Sequence, residues 1–374
     1  MYSESDLEAA VAAGALTAEQ AARLRDFVAG TRQTPAVDEE NFRLLTGFND
    51  IFVAIAAVIL LVAVGWIGHS VPPHVDYDGP TPFMGLFVAA TAWGLAEFFT
   101  RQRRMALPSI ILLLAFVGGV VATVGFGLIA GIGEDAFNNN PTGGTLVMAA
   151  SAAAGAIGAW LHWRRFRVPI TIAAATATVA GLIVALIAAA IAGGTEMISA
   201  AEQERMTNVL LVTTLVLGIA TFLFAMWWDG SDRTRETRRS DVAFWLHLLA
   251  APMIAHPIFA LLGLTEGHVS GGGAVIVVAL YILFGLVALA VDRRALLVSA
   301  LAYVLYALDS LFRDYGAVEL SVAFTALIIG SALLLLSAFW HNARRAVVRP
   351  LPDGLKGRLP VLDRAPAAMA AAAA

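Results

Sequence analysis

Cysteine is absent from the 374 residues. That excludes disulfides, thiolate metal sites and thiol nucleophiles, and leaves the redox compartment open. Charge is scarce as well: 14% of the residues are Asp, Glu, Lys or Arg, against about a quarter in soluble domains. Lysine is nearly missing, Lys356 being the single example among 24 basic residues. Arginine's planar fork suits the phosphate and carbonyl oxygens of a headgroup layer, and genomic base composition explains the bias equally well. There is no Walker lysine loop, no His-Glu-x-x-His, no Gly-x-Ser-x-Gly and no pair of carboxylates within an apolar run. No catalytic residue, cofactor or metal is therefore expected. Met1-Tyr-Ser-Glu-Ser-Asp6 is acidic and the first apolar run starts only near residue 51, so a secretory signal, which needs a basic start, is not expected either.

What the chain does have is apolar length. Apolar residues make up 59% and mean hydropathy is +0.78, values that exclude a water-soluble fold. A helix needs about 20 apolar residues to cross the hydrocarbon. Ten stretches qualify: 51–68, 83–100, 105–131, 144–162, 168–193, 208–228, 242–264, 274–291, 295–312 and 318–340. Six basic stretches alternate with them, at 1–49, 101–104, 163–167, 229–241, 292–294 and 341–364, and hold 22 of the 24 Lys and Arg residues. Short loops rich in arginine stay on the cytoplasmic side. The expected fold is an all-α polytopic bundle of ten transmembrane helices with both termini cytoplasmic. Arg205 and Arg313 alone break the alternation. The tail 341–374, basic and then Ala-rich, is expected to be disordered.

The opposite gaps, 69–82, 131–144, 194–207 and 265–273, are rich in Gly, Pro, Asn and acids, which form turns. Glu134, Asp135 and Asn138–Asn140 lack the spacing of a calcium loop and read as a solvated turn. Arg104-Met-Ala-Leu-Pro108 and Arg165-Phe-Arg-Val-Pro169 both place a proline shortly after arginine where a helix begins, a position that loses no hydrogen bond. Basic turns recurring about every 60–70 residues suggest stacked helical hairpins. A duplication and the generic look of any hairpin with a basic inner turn both account for this.

Residues 1–49 form a region of their own. Ser5-Asp-Leu-Glu8 and Thr17-Ala-Glu-Gln20 are capping boxes, and Gly14 and Gly30 stand where helices stop. Leu7, Val11, Leu16, Leu24 and Val28 recur at helical spacing. So short a hairpin buries too little to be stable alone; it is expected to dock on inner loops, a second copy or a protein partner. Nucleic acid is excluded as a partner, since four arginines face eight acids in this region and repel phosphate. The run from Asp6 through Gly14-Ala-Leu-Thr17-Ala-Glu-Gln20, followed by a polytopic region, resembles an uncharacterised family of predicted bacterial multi-pass inner-membrane proteins with a short N-terminal helical hairpin. The resemblance covers about the first 30 residues and the general architecture. It implies a bacterial inner-membrane location and brings no catalytic residues.

Ionisable groups inside a span mark candidate sites. The seventh stretch holds His247 and, between Pro252 and Pro257, His256, and prolines free backbone carbonyls one turn earlier. Histidine exchanges a proton near neutral pH. The ninth holds Tyr306 and Asp309 on one face, with Arg313 just past its end and in reach of Asp309. His256 and Asp309 both lie about 21 Å from the basic side of untilted helices. A contact between them is one expectation; an Asp309–Arg313 pair with a separately bonded His256 is the other. Glu97, four residues before Arg101, reads as a salt bridge. Trp160, His162 and Trp163 read as an interfacial belt, and Gly127–Gly131 and the small residues of 149–158 as close-packing faces. Ten-span membrane acyltransferases are similar in length, but their arginine-and-histidine signature is missing from 51–68.

Three functional classes follow. The first is a non-catalytic scaffold or regulator acting through the N-terminal hairpin. A secondary transporter, proton-coupled or otherwise, using His247, His256, Tyr306, Asp309 and Arg313 is the second. The third is a membrane-embedded lipid-modifying enzyme.

Overall fold

A computed structural model describes residues 7, 10–31, 48–192, 200–233, 235, 237–264, 271–294, 297–301, 303–305 and 321–362. Every regular element among them is helical. Among the described residues seven helices are long and apolar enough to cross a membrane, and eight if one bent pair counts as a single span.

The chain divides into two units, 1–42 with 363–374 and 43–362. In the first, helix α1 (Ala18–Thr31) starts from Thr17. The capping box forms as expected: Gln20 N–H donates to Thr17 Oγ1 at 3.2 Å, and Thr17 N–H to Gln20 Oε1 at 2.9 Å. Gly14 takes φ +72°, the left-handed stop that glycine supplies at no steric cost. Gly30, expected to end the hairpin, belongs instead to the last turn of α1. The first capping box, at Ser5–Glu8, lies outside the described residues.

In the second unit α2 (Phe48–His69) is followed by α3 (Pro82–Ala96), which runs on as a wide π-helical turn over Glu97–Gln102. Then come α4 (Ala106–Ile132), the short α5 (Glu134–Asn139), α6 (Pro141–Phe166), α7 (Ile170–Ala192), α8 (Ala200–Gly230), α9 (Arg238–Leu261) and α10 (Gly271–Val291). Residues 297–301 and 303–305 are helical, and the rest of the ninth expected stretch lies outside the described residues. The bundle ends with α11 (Ser321–Ala338), α12 (Trp340–Val348) and α13 (Asp353–Lys356). Helix α12 turns away from residues Leu327–Ala338 by 76°. The part of the basic tail that reaches Leu362 is thus folded, because its arginines find buried partners described below.

Small residues set the helix spacing. At the α3–α4 crossing a Cβ on Gly85 would stand 2.5 Å from the Gly119 carbonyl oxygen, and one on Gly119 2.7 Å from that of Gly85. The 149–158 face packs closely at Gly155, whose Cβ would meet Val121 at 2.6 Å. Gly131 faces open space, so the expected Gly127–Gly131 seam does not close at that end. Helix α9 stays continuous through Pro252 and Pro257. Pro257 deprives the Met253 carbonyl of its helical donor, and Gly218 of α8 comes against that same carbonyl, where a Cβ would lie 2.8 Å from its oxygen.

The four basic turns share one device. Each contains a non-glycine residue with left-handed backbone: Arg104 (φ 54°), Arg167 (55°), Arg235 (54°) and Asp292 (57°). Such a conformation costs about 1 kcal/mol for an L-residue. Four recurrences at matching places give the hairpin periodicity a backbone counterpart.

Candidate functional site: a buried ion knot

Asp229 stands in the last turn of α8, a carboxylate at the negative end of a helix dipole. It is 1% exposed, so its charge has to be met from within the protein. Arg293, from the turn after α10, donates through Nη2 to Asp229 Oδ1 at 2.6 Å and through Nε to Oδ2 at 3.3 Å. His247 of α9 places Nε2 3.1 Å from the same Oδ2. In the tautomer that donates to the carboxylate, its Nδ1 is a bare acceptor, and that atom is buried without a hydrogen-bond partner. The Phe222 ring stands edge-on to the imidazole, with centroids 5.1 Å apart. Arg293 also donates to the Ser240 carbonyl at 3.1 Å, tying in the first turn of α9.

A second pair lies alongside. Arg235 donates to Asp292 Oδ2 at 2.9 Å and to the carbonyls of Val291 and Asp292. Burial, and then the neighbouring Arg293 guanidinium, push Arg235 below the ordinary arginine pKa, while Asp292 and Asp229 act against them. Trp340 Nε1–H donates to Asp292 Oδ1 at 2.7 Å, and Arg344 Nε stands 3.6 Å from that oxygen. Asp232 accepts from the backbone and hydroxyl of Thr237, at 2.9 and 2.7 Å, where α9 begins. Three arginines and three aspartates are therefore buried together and balance in charge.

The knot also holds the chain's last described segment. Arg344 donates to the carbonyls of Pro360 and Val361, at 2.9 and 3.2 Å. Arg233 donates to those of Leu359 and Lys356, at 2.9 and 3.1 Å. Residues 356–361 are thereby strapped across Arg233. Without these partners Arg344, 1% exposed, would strand its donors in a dry site.

Of the residues expected to form one intramembrane site, His247 and His256 have different partners. His247 faces Asp229. His256 lies nine residues further along α9, about 13 Å by helical rise, and bonds through Nδ1 to Tyr303 OH at 2.8 Å. Tyr303 also stacks on Phe259, with centroids 4.2 Å apart. Tyr306, Asp309 and Arg313 lie outside the described residues. The sequence reading missed Asp229, Arg235, Asp292, Arg293 and Arg344. Its signal was available: the turns 229–241 and 292–294 mix aspartates with arginines, whereas 101–104 and 163–167 contain no acid.

At those two acid-free turns the picture changes. Glu97 accepts from Arg101 at 3.2 Å and from Arg165 at 2.6 and 2.9 Å, so the expected pair is a three-residue bridge between α3 and α6. His162 is not part of a belt. It is fully buried, bonds through Nδ1 to Thr171 at 3.2 Å and sits among Trp93, Phe116 and Phe166. Trp160 is exposed with Arg164 over its ring. Among the described residues no group of three or more His, Asp or Glu is placed to hold a metal ion. Comparison with protein-family models, with curated proteins and with solved structures gave no match.

Proposed function

We propose that the chain is a non-catalytic integral protein of the bacterial inner membrane, with ten spans and both termini in the cytoplasm, that scaffolds or regulates a partner through residues 1–30. One observation carries the reading. The Asp229–His247–Arg293 cluster is sealed, each member being no more than 2% exposed, so its charges hold helices together and leave no face for a substrate. The location rests on the N-terminal resemblance, and the hairpin's role on its being too short to be stable alone. The span count and sidedness rest on the alternation of basic turns.

Two experiments test it. Deleting residues 2–30 removes a stoichiometric copurifying protein, or breaks self-association, and leaves the spans inserted; unchanged recovery and copy number overturn the hairpin's role. For topology, the cysteine-free background makes single substitutions clean probes. Ser3→Cys and Ala367→Cys resist a membrane-impermeant maleimide in whole cells and Thr142→Cys reacts; labelling of either terminus refutes the sidedness.

A second reading, a proton-coupled transporter with its site between the seventh and ninth stretches, is favoured by the His256–Tyr303 hydrogen bond across those helices. Under it, His256→Ala and Asp309→Asn each abolish pH-dependent flux in proteoliposomes without unfolding the protein. Flux that persists in both removes that site.

A further inference from the structure

The turns after α3 and α6 carry six arginines and, beside them, one carboxylate. Glu97 is shared by Arg101 and Arg165. Arg103, Arg104, Arg164 and Arg167 are exposed, and no carboxylate among the described residues pairs with them. The Glu97–Arg165 bridge joins residues 68 apart in sequence and so gathers both turns into one patch. Guanidinium groups crowded in this way repel one another until an outside anion enters.

Their placement specifies the anion. The Arg103 guanidinium carbon lies 5.3 Å from the centroid of the Phe98 ring, that of Arg164 5.1 Å from Trp160 and that of Arg167 5.6 Å from Trp163. Phe98 and Trp160 are themselves 42% and 52% exposed at the ends of apolar helices. The Arg103 and Arg164 cations are therefore held just above exposed rings at the helix ends, whereas the Trp163 ring under Arg167 is half-buried and packs toward Ala173 and Leu246. Phosphodiester oxygens of a lipid lie at that depth, and the arginine fork binds them in bidentate fashion.

We propose that the α3–α4 and α6–α7 turns form a binding site for an anionic phospholipid, its phosphate among Arg103, Arg104, Arg164 and Arg167 and its acyl chains along Phe98 and Trp160. Basic clusters between helix ends recognise lipid headgroups by this combination of charge and interfacial depth. Glu97 acts as the internal competitor for the same guanidinium groups.

Native mass spectrometry of the full-length protein in detergent tests this by titration with phosphatidylglycerol, phosphatidylcholine and free glycerol phosphate. Phosphatidylglycerol is retained roughly tenfold more strongly than phosphatidylcholine, and glycerol phosphate at equal concentration does not displace it. Changing all four arginines to glutamine removes the preference. Arg238→Gln with Arg239→Gln, near Asp241 in the other half, preserves it. Glu97→Gln releases Arg101 and Arg165 and raises phosphatidylglycerol retention about threefold, an increase that a folding defect cannot produce. Equal retention of the two lipids, displacement by glycerol phosphate, or weaker retention in Glu97→Gln overturns the site.

Discussion

The bundle's two basic regions begin from the same kind of sequence and end in opposite environments. The turns 101–104 and 163–167 keep their arginines at the surface, over exposed rings, with one acidic partner. The turns 229–241 and 292–294 draw Arg235 and Arg293 inward, and Arg344 joins them from α12. Arginine alone did not decide the outcome, because every turn has it. Aspartate did: an acid in the turn lets a guanidinium leave water with its counter-charge, and an arginine without one stays wet. The left-handed residues make the same point. Arg104 and Arg167 are exposed, whereas Arg235 and Asp292 bond to each other, so only in the second pair does an ion pair help to fix the strained backbone.

The sharpest way to break this comparison is to remove one buried arginine. Arg293→Met leaves the buried Asp229 with His247 as its remaining side-chain hydrogen-bond partner among the described residues, and costs about 3–5 kcal/mol. Arg104→Gln, at the matching turn of the first half, changes stability by less than about 0.5 kcal/mol. Tryptophan fluorescence during SDS unfolding in mixed micelles reads both. Equal effects would mean that the two regions differ in appearance only.

Next in size are the helix contacts that hold the first half without ions. Gly85→Leu forces a side chain against the Gly119 carbonyl and the Thr123 backbone, a cost of about 1–3 kcal/mol from overpacking. Gly131→Ala, with nothing near its Cβ position, is neutral by the same measurement. A neutral Gly85→Leu would mean that this crossing is not closely packed.

The strap distinguishes the halves from another side. A stop codon after Arg349 removes the carbonyls of Pro360 and Val361 from Arg344, and those of Lys356 and Leu359 from Arg233. Losing these acceptors around the buried Arg344 costs about 1–2 kcal/mol, and trypsin cleaves after Arg344 faster than in the intact chain. Unchanged protection would show that residues 356–361 only rest on the surface.

How much of this could be read from the chain depends on which force decided each part. Hydropathy alone bounds α2, α3 and α4, expected at 51–68, 83–100 and 105–131 and found at Phe48–His69, Pro82–Gln102 and Ala106–Ile132, because water and hydrocarbon sort residues without reference to tertiary contacts. The partner of His247 followed a different rule. Asp229 reads as a loop acid until the turn folds back against α9, and Asp292 reads as a charge after a helix until Trp340 and Arg344 arrive from 48 and 52 positions away. Pairing over such distances leaves no periodicity in the sequence. The folding of residues 340–362 was hidden for the same reason, since a basic tail looks solvated until its carbonyls and guanidiniums are seen to be shared. His256 was expected either against Asp309, which lies outside the described residues, or hydrogen-bonded apart from it, and it bonds to Tyr303, a residue the sequence did not single out.

The smallest effect is expected at Glu97, and its size sharpens the contrast most directly. The carboxylate makes three hydrogen bonds to two arginines, more than Arg293 makes to Asp229, yet its side chain is 31% exposed and its partners' are 41% and 54% exposed. Water screens these charges and solvates them once they separate, so Glu97→Ala changes stability least of the destabilising substitutions. A double-mutant cycle with Arg165→Ala isolates the pair, and its coupling shrinks further in 0.5 M salt because exposed charges are screened. The corresponding cycle between Asp229 and Arg293 holds its value in the same salt, since ions do not reach a pair this deeply enclosed. A salt-insensitive coupling at Glu97 would put both pairs in the same dry environment and erase the distinction between the two halves.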